Sequence, residues 1–183
     1  GATLSRVDKI TESGQPDMLI DSIPQQSSVD VEITQPEIYF GEMTNDYVLV
    51  NTDEDEFDYP DGNSNKYCQY KADSGIKMNL LTRFMFSVRE RSLKMLVSGN
   101  INSDSKILIN RNIKNRVQQI MPYLDYDEDP YAVTVDGKMY WIIDAYTATN
   151  RYPYSEPYTE GTDVYYVRNS IKVVIDASTG ETT

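Results

Sequence analysis

Residues Tyr131 to Ala145 read YAVTVDGKMYWIIDA, two β-rich runs divided by Asp136-Gly137. Asp-Gly suits the two central positions of a type I′ turn, where both residues take a positive φ and the flanking strands twist together. With that turn, Val133 faces Tyr140 and Ala132 faces Trp141. Met139, Trp141 and Ile143 then share one face of the second strand, and Tyr140 and Ile142 the other. Both faces are apolar, which predicts a central strand covered on each side. A third strand follows in VYYVRNSIKVVIDASTG, where Ile171, Val173 and Ile175 alternate with Lys172, Val174 and Asp176. Gly180 suits a left-handed turn. A returning strand is expected after it, so the domain reads as truncated at its C-terminal hairpin.

Upstream of the hairpin the period changes from two to 3.6. In KMNLLTRFMFSVRERSLKMLV, Leu81, Phe84, Met85 and Val88 fall on one helix face, and Ser98-Gly99-Asn100 ends the element. NSDSKILINRNIKNRVQQIMP offers Ser or Asp caps before a stripe at Ile109, Ile113, Val117 and Ile120, and Pro122 stops it. The outer face of this second helix carries Arg111, Lys114 and Arg116, which reads as a solvated face or as a docking face for an acidic partner. Further back, EIYFGEMTNDYVLVNT predicts strands at Ile38–Phe40 and Tyr47–Val50, and DEDEFDYPDGNSN reads as a loop. Residues 1–36, punctuated by Gly14, Pro16, Pro24 and Pro36, read as an extended arm whose MLI and VEI runs pair as edge strands. The expectation is therefore an α+β fold. A mainly antiparallel sheet carries two or more helices on one face, with residues 37–183 as a single domain behind the arm.

Composition narrows the chemistry. The chain of 183 residues has a net charge of −12 and a pI near 4.4, which disfavours phosphate backbones and hence nucleic acid. It contains no histidine, removing Ser-His-Asp and Cys-His catalysis and histidine-ligated zinc. Its one cysteine, Cys68, has no basic neighbour in sequence to activate it and reads as a small packed residue. No stretch is apolar for long enough to cross a membrane. The opening Gly1-Ala2 reads as the start of a fragment, with any span or signal lying elsewhere in a parent protein.

The candidate sites are four. The acidic run Asp53 to Asp61 and a second one, with Asp125, Asp127, Glu128 and Asp129, read as solvated loops or as irregular calcium sites. Asp61 onward fails the EF-hand pattern, because Lys66 stands where the glycine belongs. Asp125, Asp127 and Asp129 are the metal candidates. WIIDAYTAT and VVIDASTGE place Asp144 and Asp176 at like strand ends, either as turn-capping carboxylates or as a pair of the kind glycosidases use. Seven of the 15 tyrosines lie between Tyr140 and Tyr166. Tyr146, Tyr152, Tyr154 and Tyr158 form the candidate surface, as loop packing, a protein interface or a sugar platform.

QPEIYFGE, EFDYPDG, GIKMN, SDSKIL, PYLDYDEDPYAVTVDGKMYWIIDAYT, RYPYS and VRNSIKVVIDASTGE, in this order, resemble the soluble region of a bacterial uncharacterised protein family (UPF series). The family's members are very large multi-span integral membrane proteins. The resemblance runs from about Leu4 to Glu181; at Ser74-Gly75 two glycines would be expected. It implies a segment on the extracytoplasmic face of a bacterial cell membrane, with no reaction and no catalytic residue to carry over. The expectation is a non-catalytic interaction or structural module, without a cofactor unless calcium, whose partner is the remainder of its own chain. The alternatives are a cell-wall glycan or peptide binding module, and a carboxylate- or cation-dependent hydrolase.

Overall fold

The computed structural model describes residues 4–21, 26–29, 33–61, 64–149, 151, 156 and 166–183. In chain order its strands and helices begin with β1 (Leu4–Ile10), β2 (Pro16–Asp21), β3 (Gln26–Ser27), β4 (Val48–Val50), β5 (Glu56–Asp61), β6 (Ser64–Cys68) and β7 (Ile76–Lys77). They continue with α1 (Leu80–Arg89), α2 (Leu93–Val97), β8 (Lys106–Leu108), α3 (Ile113–Ile120), β9 (Asp125–Tyr126), β10 (Tyr131–Val135), β11 (Lys138–Thr149) and β12 (Tyr166–Asp176).

The hairpin takes the register its turn dictates. φ is 50° at Asp136 and 76° at Gly137, and Val133 pairs with Tyr140 and Ala132 with Trp141. Space as well as conformation demands the glycine, because a Cβ there would stand 2.4 Å from Thr34 Oγ1. The amides of Thr34 and Gln35 donate to the Gly137 carbonyl at 2.9 and 3.2 Å, tying the end of the arm to the turn. β11 is central, pairing with β10 and β9 along its length and with β12 on the other side. Past β12 the chain turns at Gly180 (φ 71°) and comes back, with Thr183 and Val174 exchanging both backbone hydrogen bonds at 2.8 and 2.9 Å.

One face of this sheet carries the main core. Ile143 and Ala145 of β11 and Val173 and Ile175 of β12 pack against Ile113 and Val117 of α3, with Phe40, Val50, Leu108 and Leu124 around them. α3 starts where Asn112 accepts the Asn115 amide at 3.1 Å and stops short of Pro122. A second cluster of Met78, Phe86, Met95, Ile101 and Ile107 joins α1 and α2 to β8.

The fold is α+β and mainly antiparallel, with several departures in detail. Among the described residues the strands form four small sheets in place of one. Strands β1, β2 and β3 of the arm make their own sheet, and the VEI run lies largely outside the described residues. The acidic stretch read as a loop is the hairpin β5-β6, whose side chains mostly face solvent, so that polar composition costs it nothing. Ile38–Phe40 is no strand: the amides of Tyr39 and Phe40 both donate to the Ala177 carbonyl at 2.9 Å, in place of a ladder. Residues 106–108, read as the approach to a helix, form β8 between β4 and β7. The first helix breaks in two at Glu90-Arg91-Ser92, where Arg91 takes φ 53°.

Candidate functional site

The α1–α2 break leaves an apolar helix face exposed. α1 begins at Asn79, whose side chain accepts the Thr82 amide at 2.9 Å. It ends in a left-handed turn, with Ser92 N–H donating to the Ser87 carbonyl at 2.9 Å and Arg91 N–H to that of Val88 at 3.3 Å. The chain then reverses into α2. There the Arg83 guanidinium reaches across and donates to the carbonyls of Leu96 at 2.9 Å and Ser98 at 2.7 Å. A cation at the carbonyl end of α2 is favourably placed against its dipole.

This clasp sets which side of α1 turns inward. Phe86 and Ser87 are buried, and Met95 of α2 joins Phe86 in the second core cluster. The stripe that the sequence marks as the packing face is outside. Leu81 is 67% exposed, Phe84 56% and Val88 63%, with Leu80 and Met85 beside them and Leu93 and Val97 exposed on α2. At about 100° per residue, Leu80, Phe84, Val88, Leu81 and Met85 span an arc of roughly 140°. Isolated exposed apolar residues are ordinary, whereas a contiguous apolar helix face marks a surface that something else covers.

The acidic candidates lie elsewhere and are engaged. Asp144 pairs across strands with Lys172, whose ammonium is 2.6 Å from its Oδ1 and also within 3.3 Å of the Tyr131 hydroxyl. These partners raise the Lys172 pKa, its hydrogen bond to Asp144 foremost. Asp176 Oδ1 accepts the amides of Ser178 and Thr179 at 2.8 Å, as a turn-capping carboxylate does. Asp144 is opposite Lys172 and Asp176 opposite Tyr140, which sets the two acids four rungs apart, about 13 Å along the strands. Glycosidase pairs sit about 5 to 9.5 Å apart, so the strands do not bring these two together as such a pair.

Tyr146 lies beside Asp125 in the β9–β11 pairing, and its hydroxyl meets Asp127 at 3.4 Å. Asp127 also accepts the Asp129 amide at 3.0 Å, closing a small turn. Among the described residues no three metal-ligating side chains converge, at Asp125, Asp127 and Asp129 or elsewhere. Tyr152, Tyr154 and Tyr158 lie outside the described residues. Trp141 stands on the core side of β11 and gives its indole N–H to the Phe40 carbonyl at 3.0 Å. Arg111, just before α3, and Lys114 and Arg116 on it act as braces, where a solvated or docking face is expected from sequence. Arg111 donates to the Tyr39 and Asp46 carbonyls, Arg116 lies 5.0 Å over the Phe40 ring, and Lys114 pairs with Glu42 at 3.1 Å.

Two features were not legible in the sequence. One is Arg83, whose inward turn follows only from the position of α2. The other is a cavity of about 760 Å³ beside β5-β6, lined by Glu37, Tyr39, Glu54, Glu56, Asp58 and Cys68 among others. Within it the Tyr39 hydroxyl donates to Glu56 at 2.7 Å, and Glu56 also accepts the Asn51 amide at 2.7 Å. Burial, reinforced by Glu56, pushes the Tyr39 hydroxyl far above its ordinary range, and burial likewise raises the Cys68 thiol. Both are held protonated at neutral pH, so neither serves there as nucleophile or base.

The whole chain, residues 1–183, matches the uncharacterised protein family UPF0182. The chain belongs to that family. Among its relatives, the UPF0182 protein of Clostridium botulinum (strain Okra / Type B1) is 52% identical over 182 residues, all of this chain but 20% of the relative. Those of Clostridium tetani and Clostridium acetobutylicum are each 50% identical over 99% and 100% of this chain, and again over 20% of their own length. The chain thus spans about one fifth of the curated UPF0182 proteins it matches. No solved structure matches it. No helix among the described residues is long and apolar enough to cross a membrane.

Proposed function

We propose that this UPF0182 segment is a non-catalytic interaction module of a larger protein, and that the outward face of α1–α2 is its docking surface. One observation carries the reading: five large apolar side chains of α1 lie outside while only Phe86 and Ser87 of that helix are buried. Covering a Leu, Phe or Val side chain is worth about 1.5–3 kcal/mol, so several left in water form a strong incentive to dock. The candidate carboxylates support the same reading. Asp144 is neutralised by Lys172 and Asp176 holds a turn, which are structural duties. The extracytoplasmic location that the family resemblance implies is part of this proposal. It is testable by whether external protease cleaves a tag placed in this region in unpermeabilised cells.

Hydrogen exchange tests the docking surface. The amides of α1 and α2 are expected to exchange at least tenfold more slowly in the longer UPF0182 protein in its own membranes than in the isolated 183-residue chain. Equal exchange in both would remove the reading.

A further inference from the structure

We infer that the occupant of the α1–α2 face is an anionic lipid surface. This rests on the reading of that face as a docking surface and names what it docks on. Charge is the first ground. Residues 77–97 hold Lys77, Arg83, Arg89, Arg91 and Lys94, five of the 17 basic residues of the chain, and one of its 29 acids. The single acid, Glu90, is 3.2 Å from Arg89. Lys77, just before α1, Arg91, just after it, and Lys94 of α2 are exposed. The acids near the far end of α2 are Asp104, exposed in the following loop, and Asp53 and Glu54, which accept hydrogen bonds from the side-chain amides of Asn102 and Asn100. In a chain of net charge −12, the segment that bears the exposed apolar arc is thus locally basic, with Lys77, Arg91 and Lys94 exposed and Arg83 turned inward onto α2.

That combination, Leu, Phe and Val outward with Lys and Arg around them, is how a helix lies in a headgroup layer. The apolar side chains enter the acyl boundary while the cations stay among the lipid phosphates. The long stems of Lys and Arg allow this without burying their charge. Side-chain type is the second ground. Among aromatic side chains protein hot spots favour Tyr and Trp, and Leu and Val are under-represented among such anchors. The chain has 15 tyrosines and one tryptophan, and none falls within residues 77–97. The outward side chains of α1 are Leu, Phe, Met and Val, which have no hydrogen-bonding groups and need no specific partner.

Flotation with lipid vesicles tests this. The 183-residue chain is expected to bind vesicles containing phosphatidylglycerol at least tenfold better than pure phosphatidylcholine, and to leave them as salt rises. Because the net charge opposes that preference, general electrostatics does not produce it. Two double variants, Leu81→Gln/Phe84→Gln and Lys77→Glu/Lys94→Glu, change exposed side chains and should keep the parent's circular dichroism melt. Each is expected to lose about tenfold in vesicle binding. Binding without preference for the anionic lipid, or unaltered by either variant, overturns the inference. Absence of vesicle binding also overturns it. In that event, α1–α2 amide protection in the longer protein would show a protein occupant and leave the docking surface standing. Absence of both would remove the two together.

Discussion

Phe84 and Phe86 are two residues apart on one helix, and the fold assigns them opposite fates. Phe86 is 8% exposed and packs with Met78, Met95 and Ile107, whereas Phe84 is 56% exposed. Phe86→Ala removes a buried ring and leaves a cavity, which costs about 3–5 kcal/mol. For a chain of this size each kcal/mol lowers Tm by about 2–4 °C, giving a fall of about 6–20 °C. Phe84→Gln removes a ring already mostly in water and keeps a residue of good helix propensity, so its effect is within about 0.5 kcal/mol. Thermal melts followed by circular dichroism read both changes directly. The sequence pattern alone makes the opposite prediction, since Phe84 is on the apolar stripe and Phe86 is off it. If Phe84→Gln unfolds the chain and Phe86→Ala is silent, α1 is turned the other way and the docking surface does not exist.

Three further outcomes follow from single residues. Arg91 takes φ 53° at the position after α1 where glycine is normally found, so Arg91→Gly is expected to stabilise by about 0.5–1 kcal/mol in a denaturant titration. Ser74 Oγ donates to the Thr179 carbonyl at 2.6 Å and meets the Tyr70 hydroxyl, so Ser74→Ala should cost about 1 kcal/mol by the same assay. Tyr39 is held protonated in the fold, so its contribution is complete below the ordinary tyrosine pKa, near 10, and is lost as pH rises above it, when the unfolded chain ionises first. Tyr39→Phe should therefore shrink the loss of Tm between neutral and strongly alkaline buffer; an unchanged loss would remove Tyr39 as its source.

How far the sequence was legible depended on whether the deciding interactions were local. The Asp136-Gly137 hairpin was readable to the residue, because turn chemistry fixes register and register fixes the faces of β11. Gly180 was readable for the same reason. α3 was readable at its end, where Pro122 stops it, and in the part of its stripe that packs, Ile113 and Val117; its start was not, because the cap is Asn112 in place of an earlier Ser or Asp, which leaves Ile109 ahead of the helix. The hairpin β5-β6 was hidden, since strands facing water on most sides carry no apolar alternation. The α1–α2 surface was half legible. The period gave the stripe, but its direction depends on Arg83 reaching α2 and on Arg91 accepting a left-handed turn, neither of which periodicity contains. The same holds for Arg111, Lys114 and Arg116, which look like a solvated face in sequence and act as braces because residues 39–46 lie across them. A segment spanning one fifth of its relatives is also a place where an apolar stripe need not mean its own core.

The most direct test of the docking surface is chemical protection at its centre. In a Cys68→Ser background, Phe84→Cys places the one thiol on the outward face of α1. In the isolated 183-residue chain that thiol is expected to react with maleimide at the rate of a free cysteine. In the longer UPF0182 protein in its own membranes it is expected to be protected at least tenfold. Equal labelling in the two settings would contradict the account.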